Sequence, residues 1–301
     1  MPRCRATRFY HVFPPFRQWS LVVTLVLFIV TPLITTIPAA AQQATAATPV
    51  TEPVFAVILD TLPVPPLFIG MARLTFPPGA HILGGPIAGT RLFLIETGTL
   101  TVALDDPGTI QRAGTPHLTE IADSGTQTTL ASGDLLSVSG IPPFTITNSA
   151  DVPATLLDIV LWPPVEEQVR PFITEYGVIF EPLVIGEVTS VPEKPVQLLL
   201  ERTSVPRDDE LSYAPDAGPM LVYVDSGRLG IHASSGALSY ASSAANAPGS
   251  VVGRIRTLEP GRDAVLTAGG SVVLQSGATG IFTNLGRNQL ELLVLRFQPV
   301  S

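Results

Sequence analysis

The sequence predicts an all-β protein of two tandem barrels behind a removable leader. Three observations carry that reading: a block that recurs at fixed spacing, short runs of β-forming residues closed by glycine turns in each copy, and no sustained 3.6-residue apolar period after residue 41. Leu62-Pro63 and Pro66 recur as Val191-Pro192 and Pro195, Arg73 as Arg202, Pro77 as Pro206, and Ala88-Gly89 as Ala217-Gly218, each pair 129 residues apart. Gly98 with Leu100 recurs as Gly227 with Leu229 at the same offset. Later in each copy the offset is 136, pairing Asn148 with Asn284, Leu156-Leu157 with Leu292-Leu293, and Pro163 with Pro299.

The chain begins with Arg3, Arg5, Arg8 and Arg17, continues through an uncharged apolar run from Trp19 to Ile37, and reaches Ala39-Ala40-Ala41 before Gln42. A positive region, an apolar stretch and small residues in an A-x-A pattern are the signature of a secretory signal peptide, residues 1–41. An uncleaved membrane anchor is the alternative, since the run could just span a bilayer. Residues 42–52, rich in Ala and Thr, read as a flexible tether. Cys4 is the only cysteine, so a chain cleaved at Gln42 has neither thiol nor disulfide. With no N-x-S/T sequon, the leader points to a bacterial exported protein. Removal of the four leader arginines leaves 13 basic against 25 acidic groups, a net charge of about −12, which argues against nucleic acid or an anionic membrane as partner.

Within the copies, Leu92 to Glu96 and Leu221 to Asp225 are short β-rich runs. They close on Thr97-Gly98 and Ser226-Gly227 turns and continue into Thr99 to Leu104 and Arg228 to His232, so each reads as a hairpin. Apolar residues on both faces imply sheets covered on both sides. Asp105 to Ser132 and Ala233 to Gly261 read as elaborated hairpin loops, the Ser/Ala-rich part near Ser242 to Asn246 as mobile. Glu166 to Tyr176 has the spacing for a short connector helix. The expected division is an N-terminal barrel over 53–164, a connector over 165–182 and a C-terminal barrel over 183–301.

With these features the chain resembles the cupin superfamily, whose motifs are G-x5-H-x-H-x3-E-x6-G and G-x5-P-x-G-x2-H-x3-N. The resemblance runs from about residue 53 onward and implies two double-stranded β-helix (cupin, jelly-roll) barrels, a bicupin. In the first copy the spacing fits from Gly79 to Gly98, with Gly85 and Ile87 at the two histidine positions and Arg91 at the glutamate. It fits again from Gly133 to Asn148, with Phe144 at the third histidine. In the second copy Ala214 and Asp216 stand at the histidine positions, Met220 at the glutamate and Gly280 at the third histidine. An H-x-H pair on a strand aims both imidazoles to one side, where a carboxylate and a third histidine complete a metal site. Here the set Gly85, Ile87, Arg91 and Phe144 offers no metal-binding atom, and Asp216 alone cannot hold a transition metal. The sequence therefore implies no metal and no cofactor, and no catalytic residue can be named.

Gly85, Ile87, Arg91, Phe144, Asp216 and Met220 are the candidate barrel-interior ligand residues. An inward Arg91 must have a partner, because an unpaired guanidinium in an apolar barrel is costly. It reads as one half of an internal salt bridge or as an arginine at the barrel mouth, with an anchor for an anionic ligand as the functional alternative. Asp216, flanked by Pro215 and Gly218, reads as an exposed turn or as a ligand-orienting carboxylate. Asn148 and Asn284 read as turn residues, Trp162 as inter-domain packing or a sugar platform, and His81, His117 and His232 as surface or mouth positions. No G-x-S-x-G elbow, P-loop, H-E-x-x-H or G-x-G-x-x-G is present. The expected function is an exported, metal-free, non-enzymatic bicupin that binds a small molecule, anionic or carbohydrate, or a partner, or has a structural role, with a second copy of the chain as a candidate partner. The alternatives are a metal-independent cupin enzyme acting on sugars and a metal-dependent oxygenase or isomerase with atypical ligands.

Overall fold

Thr99 to Leu104 alternates polar and apolar side chains and its burial alternates with it, whereas Thr90 to Ile95 is buried at every position. The first pattern is a strand with one wet face, the second a strand covered on both. In the computed structural model, which describes residues 48–85, 89–115, 120–140, 143–164, 173–214, 218–242 and 254–300, the described residues contain 23 strands and no helix.

The strands of the first copy are β1 (Val50–Leu59), β2 (Leu67–Phe76), β3 (His81–Gly84), β4 (Thr90–Thr97), β5 (Thr99–Leu104), β6 (Gly108–Gln111), β7 (Glu120–Ala122), β8 (Gln127–Ala131), β9 (Leu135–Ser139), β10 (Phe144–Thr147) and β11 (Ala154–Trp162). Between the copies lies β12 (Ile173–Tyr176). The second copy comprises β13 (Ile179–Val188), β14 (Val196–Val205), β15 (Glu210–Tyr213), β16 (Met220–Ser226), β17 (Arg228–Ser235), β18 (Leu238–Ala241), β19 (Ile255–Leu258), β20 (Asp263–Thr267), β21 (Ser271–Leu274), β22 (Thr279–Asn284) and β23 (Leu290–Pro299).

Sheet order repeats with the sequence. A seven-stranded sheet β13-β2-β11-β4-β9-β6-β7 faces a five-stranded sheet β12-β3-β10-β5-β8, and a seven-stranded sheet β1-β14-β23-β16-β21-β18-β19 faces a four-stranded sheet β15-β22-β17-β20. Consecutive long strands alternate between the facing sheets, so each copy winds as a double-stranded β-helix.

One exchange crosses the expected boundaries. β1 precedes the first barrel in sequence but pairs with β14 of the second, and β13 precedes the second but pairs with β2 of the first. Both strands carry a register shift at the same place, Pro53/Phe55 and Pro182/Val184, because a proline cannot donate to the ladder. The division at residues 53 and 183 is corrected accordingly, and Val50 to Glu52 belong to a strand instead of a tether.

Two further expectations change. Ile173 to Tyr176, placed in a connector helix, is a strand antiparallel to β3, because that edge offers unpaired backbone groups to an alternating segment; residues 165–172 lie outside the described residues. The elaborated loops contain strands that extend the seven-stranded sheets, β6 with β7 and β18 with β19. The leader, the tether up to residue 47, His117 and residues 243–253 also lie outside the described residues, and among the described residues no helix is long and apolar enough to cross a membrane.

Three cores result. Phe76, Ile82, Phe93, Ile146 and Leu156 are among those filling the first barrel, and Val222, Ile231, Leu266, Phe282 and Val294 the second. A third lies between the barrels, joining Phe55, Leu67, Met71, Leu157, Ile159 and Leu161 to Leu198, Leu221, Tyr223 and Phe297. At about 1.5–3 kcal/mol for each fully buried large apolar side chain, such an interface holds the barrels as one body. At its rim the Arg73 guanidinium donates to Glu96 at 2.7 and 3.3 Å and to Asp225 of the other barrel at 3.4 Å, with Glu181 Oε2 at 3.6 Å. Burial, then the carboxylates of Glu181 and Asp225, push the Tyr223 phenol up to about 12.

The asparagines of the two copies build matching corners. Asn148 Nδ2 donates to the carbonyls of Phe76 and Val152, and its Oδ1 accepts from Ala150 N–H; Asn284 does the same with Val205, Asn288 and Gly286, all at 2.8–3.0 Å.

Removal of residues 48–59 is expected to open the ladder at β14. In hydrogen exchange the β14 amides facing β1 should lose about tenfold or more in protection before β2 does, and equal protection in both strands would show that the exchange contributes little.

Candidate functional site

The place where the cupin motifs converge is the interior of each barrel near the start of β4 or β16. Arg91, Phe93 and Ile95 alternate onto the inner face of β4, as Leu156 and Asp158 do on β11. Arg91 is 1% exposed, and its Nε donates to Asp158 Oδ1 at 2.7 Å while Nη2 donates to Oδ2. This two-pronged arrangement is the strongest geometry available to a guanidinium and a carboxylate. The guanidinium also lies over the rings of Phe93 and Phe144, with its carbon 4.9 and 4.8 Å from their centroids. Nη1 alone has no hydrogen-bond partner. Arg91 is thus part of an internal salt bridge, and the first barrel holds no free cation at this position.

Phe144 occupies the third histidine position and fills the space beside Gly84, where an added Cβ would come within 2.1 Å of the phenyl ring. Gly85 follows β3 and is half-buried; Ile87 and Asp216 lie outside the described residues. Met220 faces the interior of the second barrel, buried beside Val222. Of the six sequence candidates, the four described ones are divided between the barrels, Gly85, Arg91 and Phe144 in the first and Met220 in the second. Two depressions among the described residues lie elsewhere, one of about 170 Å³ between the barrels at Phe68, Gly186, Ala241 and Val273, the other of about 100 Å³ on the outer face of the five-stranded sheet at Thr101, Gln127, Thr145 and Thr147.

The second barrel contains an equivalent of the Arg91 cluster that residue-by-residue matching does not find. Arg91 pairs across the ladder with Val160, and in the second copy Met220 pairs with Arg296. Asp158 pairs with Ala72, and Val294 with Glu201. Phe144 pairs with Gly84, and Gly280 with Tyr213. In all three pairs the functional side chain has moved to the neighbouring strand. Cross-ladder partners share a sheet face, so each barrel keeps an arginine, a carboxylate and an aromatic ring in the same place. Arg296 Nε is 2.7 Å from Glu201 Oε2, and its guanidinium carbon lies 5.3 Å from the Tyr213 ring centroid.

The second cluster is looser. The Arg296 and Glu201 side chains are 32% and 15% exposed against 1% and 5% for Arg91 and Asp158. Arg296 Nε and Glu201 Oε2 are each other's partner in the ion pair, and the buried Tyr213 hydroxyl has Thr203 and Arg296 as its hydrogen-bonding neighbours. Burial raises the Tyr213 pKa above its ordinary value, opposed by Arg296.

Elsewhere, His81 stacks on Tyr176 with centroids 4.4 Å apart, and His232 Nδ1 is 2.7 Å from Asp263. Among the described residues no group of three or more His, Cys, Asp or Glu side chains is placed to hold a metal. A guanidinium and a phenyl ring at the ligand positions do not fit the metal centre that the motifs imply. Trp162 stacks on Phe68 at 6.0 Å and covers Gly70.

The repeated strand order makes this chain a bicupin in architecture, two cupin-type barrels in one polypeptide. No family model and no curated protein matches the sequence. Similar solved structures include an oxalate decarboxylase of Lactobacillus farciminis (TM-score 0.42, 12% identity, 77% of this chain and 78% of that one). Others are a cupin 2 conserved barrel domain protein of Leptotrichia buccalis (TM-score 0.34, 14% identity, 84% and 97%) and procruciferin, an 11S globulin of Brassica napus (TM-score 0.41, 8% identity, 76% and 77%). The likeness is one of fold.

Arg91→Met leaves the Asp158 carboxylate buried without its counter-charge and is expected to cost about 3–5 kcal/mol in urea denaturation. Adding Val160→Arg, Ala72→Glu and Asp158→Val transplants the arrangement of the second barrel and should recover most of that loss. A fourfold variant no more stable than Arg91→Met would show that the two strand assignments are not interchangeable.

Proposed function

We propose that this chain is an exported bicupin without metal sites, acting by binding a small molecule or partner or by a structural role and not as an enzyme. The observation that carries the reading is the arginine–carboxylate pair with its aromatic ring in each barrel, at the place where the cupin motifs put metal ligands. In the first barrel the guanidinium is neutralised by Asp158 and the adjoining space is filled by Phe144. A divalent cation there would find no free donor atom, since both Asp158 oxygens are engaged by Arg91 and the Phe144 ring offers none. Export rests on the leader, from its arginines through the apolar run to Ala41.

Metal analysis of the chain purified from residue 42 onward should give iron, manganese, zinc and nickel well below one equivalent, even after incubation with each. A near-stoichiometric protein-bound metal would overturn the metal-free reading. For export, intact-mass measurement of the protein recovered outside the cytoplasm of an expressing bacterium should give an N-terminus at Gln42. Retention of the full-length chain in the membrane fraction would favour the uncleaved anchor instead.

A further inference from the structure

Strands β3, β10, β5 and β8 have the sequences HILG, FTIT, TLTVAL and QTTLA, and none of them carries an aspartate, glutamate, lysine or arginine. Their alternate residues Ile82, Ile146, Val102 and Leu130 fill the first barrel, which turns the threonines outward. Register then aligns them. Thr129, Thr101, Thr147, His81 and Tyr176 are successive cross-ladder neighbours, one from each of the five strands, and form a row of about 19 Å at the usual strand spacing. At one end Tyr176 is 48% exposed and stacks on His81 with ring centroids 4.4 Å apart. Beside the row Ala103 lies between Gln127 and Thr145, and its single methyl leaves the depression of about 100 Å³ that those two share with Thr101 and Thr147. Among the described residues, none of the side chains of Thr101, Gln127, Thr145 and Thr147 hydrogen-bonds within the chain. The second barrel is built otherwise at the same place. By the offsets of 129 and 136, Thr101, Thr147 and His81 correspond to Gly230, Thr283 and Glu210, which pair in one row with Val265. Gly230 is covered by Leu285, and Ala103 with Gln127 is replaced by the His232–Asp263 ion pair at 2.7 Å.

We propose that this outer face, from the Ala103 depression to the His81–Tyr176 rings, binds a neutral oligosaccharide. The inference rests on the proposal that the chain is a binding module, and gives it a surface and a ligand class. Charge selects first: with no ionic side chain on four adjoining strands, neither an anionic nor a cationic polymer meets a counter-charge here. Hydrogen bonding selects next. Threonine hydroxyls and the Gln127 amide both donate and accept, as sugar hydroxyls do, while the threonine and alanine methyls meet sugar C–H groups. The exposed Tyr176 ring adds an apolar surface with a polar tip, suited to a pyranose ring. The length of the row calls for several linked sugars instead of one. Leu83 and Tyr176 are the large apolar side chains exposed on this face among the described residues, too few for a second copy to dock by apolar burial.

The test uses the chain from residue 42 onward with cellohexaose, maltohexaose and laminarihexaose as neutral probes, hexagalacturonate and chitosan hexamer as charged controls, and saturation-transfer NMR titration as readout. At least one neutral probe should bind with a Kd on the order of millimolar or below. Thr101→Val with Thr147→Val keeps the shape of the row and removes two hydroxyls, and Tyr176→Ala removes the ring; each variant should weaken binding about tenfold with the fold checked by circular dichroism. Thr283→Val, at the equivalent place in the second barrel, should leave binding unchanged. Failure of all three neutral probes, binding of the charged controls alone, or wild-type affinity in both first-barrel variants would overturn the assignment. So would a dimer in sedimentation that Ala103→Glu dissolves, which would give the face to a second copy. Metal content is measured on the same preparation: a metal-free chain that ignores every neutral probe defeats this inference alone, whereas near-stoichiometric metal defeats the wider reading.

Discussion

An arginine inside an apolar barrel can exist only if a carboxylate comes with it, and that constraint organises both interiors. Removing a guanidinium from water costs several kcal/mol unless attraction and hydrogen bonds offset it. Asp158 meets the demand across two hydrogen bonds, and Phe93 and Phe144 add their ring faces. What the constraint fixes is a position in space. It is indifferent to which of two paired strands delivers each group, and this freedom is visible as three successive exchanges between the copies.

The same freedom explains what the sequence could and could not disclose. The offsets of 129 and 136 were enough for the two barrels, and an inward Arg91 was enough to require a partner. Asp158, however, sits in an otherwise apolar run from Leu156 to Leu161, and nothing in that run points at Arg91 until the β4–β11 register is known. Glu201, Tyr213 and Arg296 were harder still. Alignment of the copies places Ala72, Gly84 and Val160 opposite them, so the match looks empty at the positions where the cluster has changed strands. The exchanged edge strands did leave a trace: Glu52-Pro53 and Glu181-Pro182 are another pair 129 apart. Their pairing partners are long-range, which no local pattern discloses. Ile173 to Tyr176 was misread because helical spacing in a short segment yields to an available sheet edge, here that of β3.

The barrels diverge most where they are most alike. Both close with an asparagine corner of identical bonding, and both bury a triplet of one composition. Yet the Arg91–Asp158 pair is sealed inside its barrel, while the Arg296–Glu201 pair is partly exposed.

The reciprocal loan of β1 and β13 also speaks to ancestry. A lone barrel with such an arm would have had one strand too many at its N-terminus and one too few at its sheet edge. Two identical chains trading arms would have cured both defects at once, in a two-fold assembly. Within one chain the same exchange is intramolecular, so it holds at any dilution where two separate chains would part.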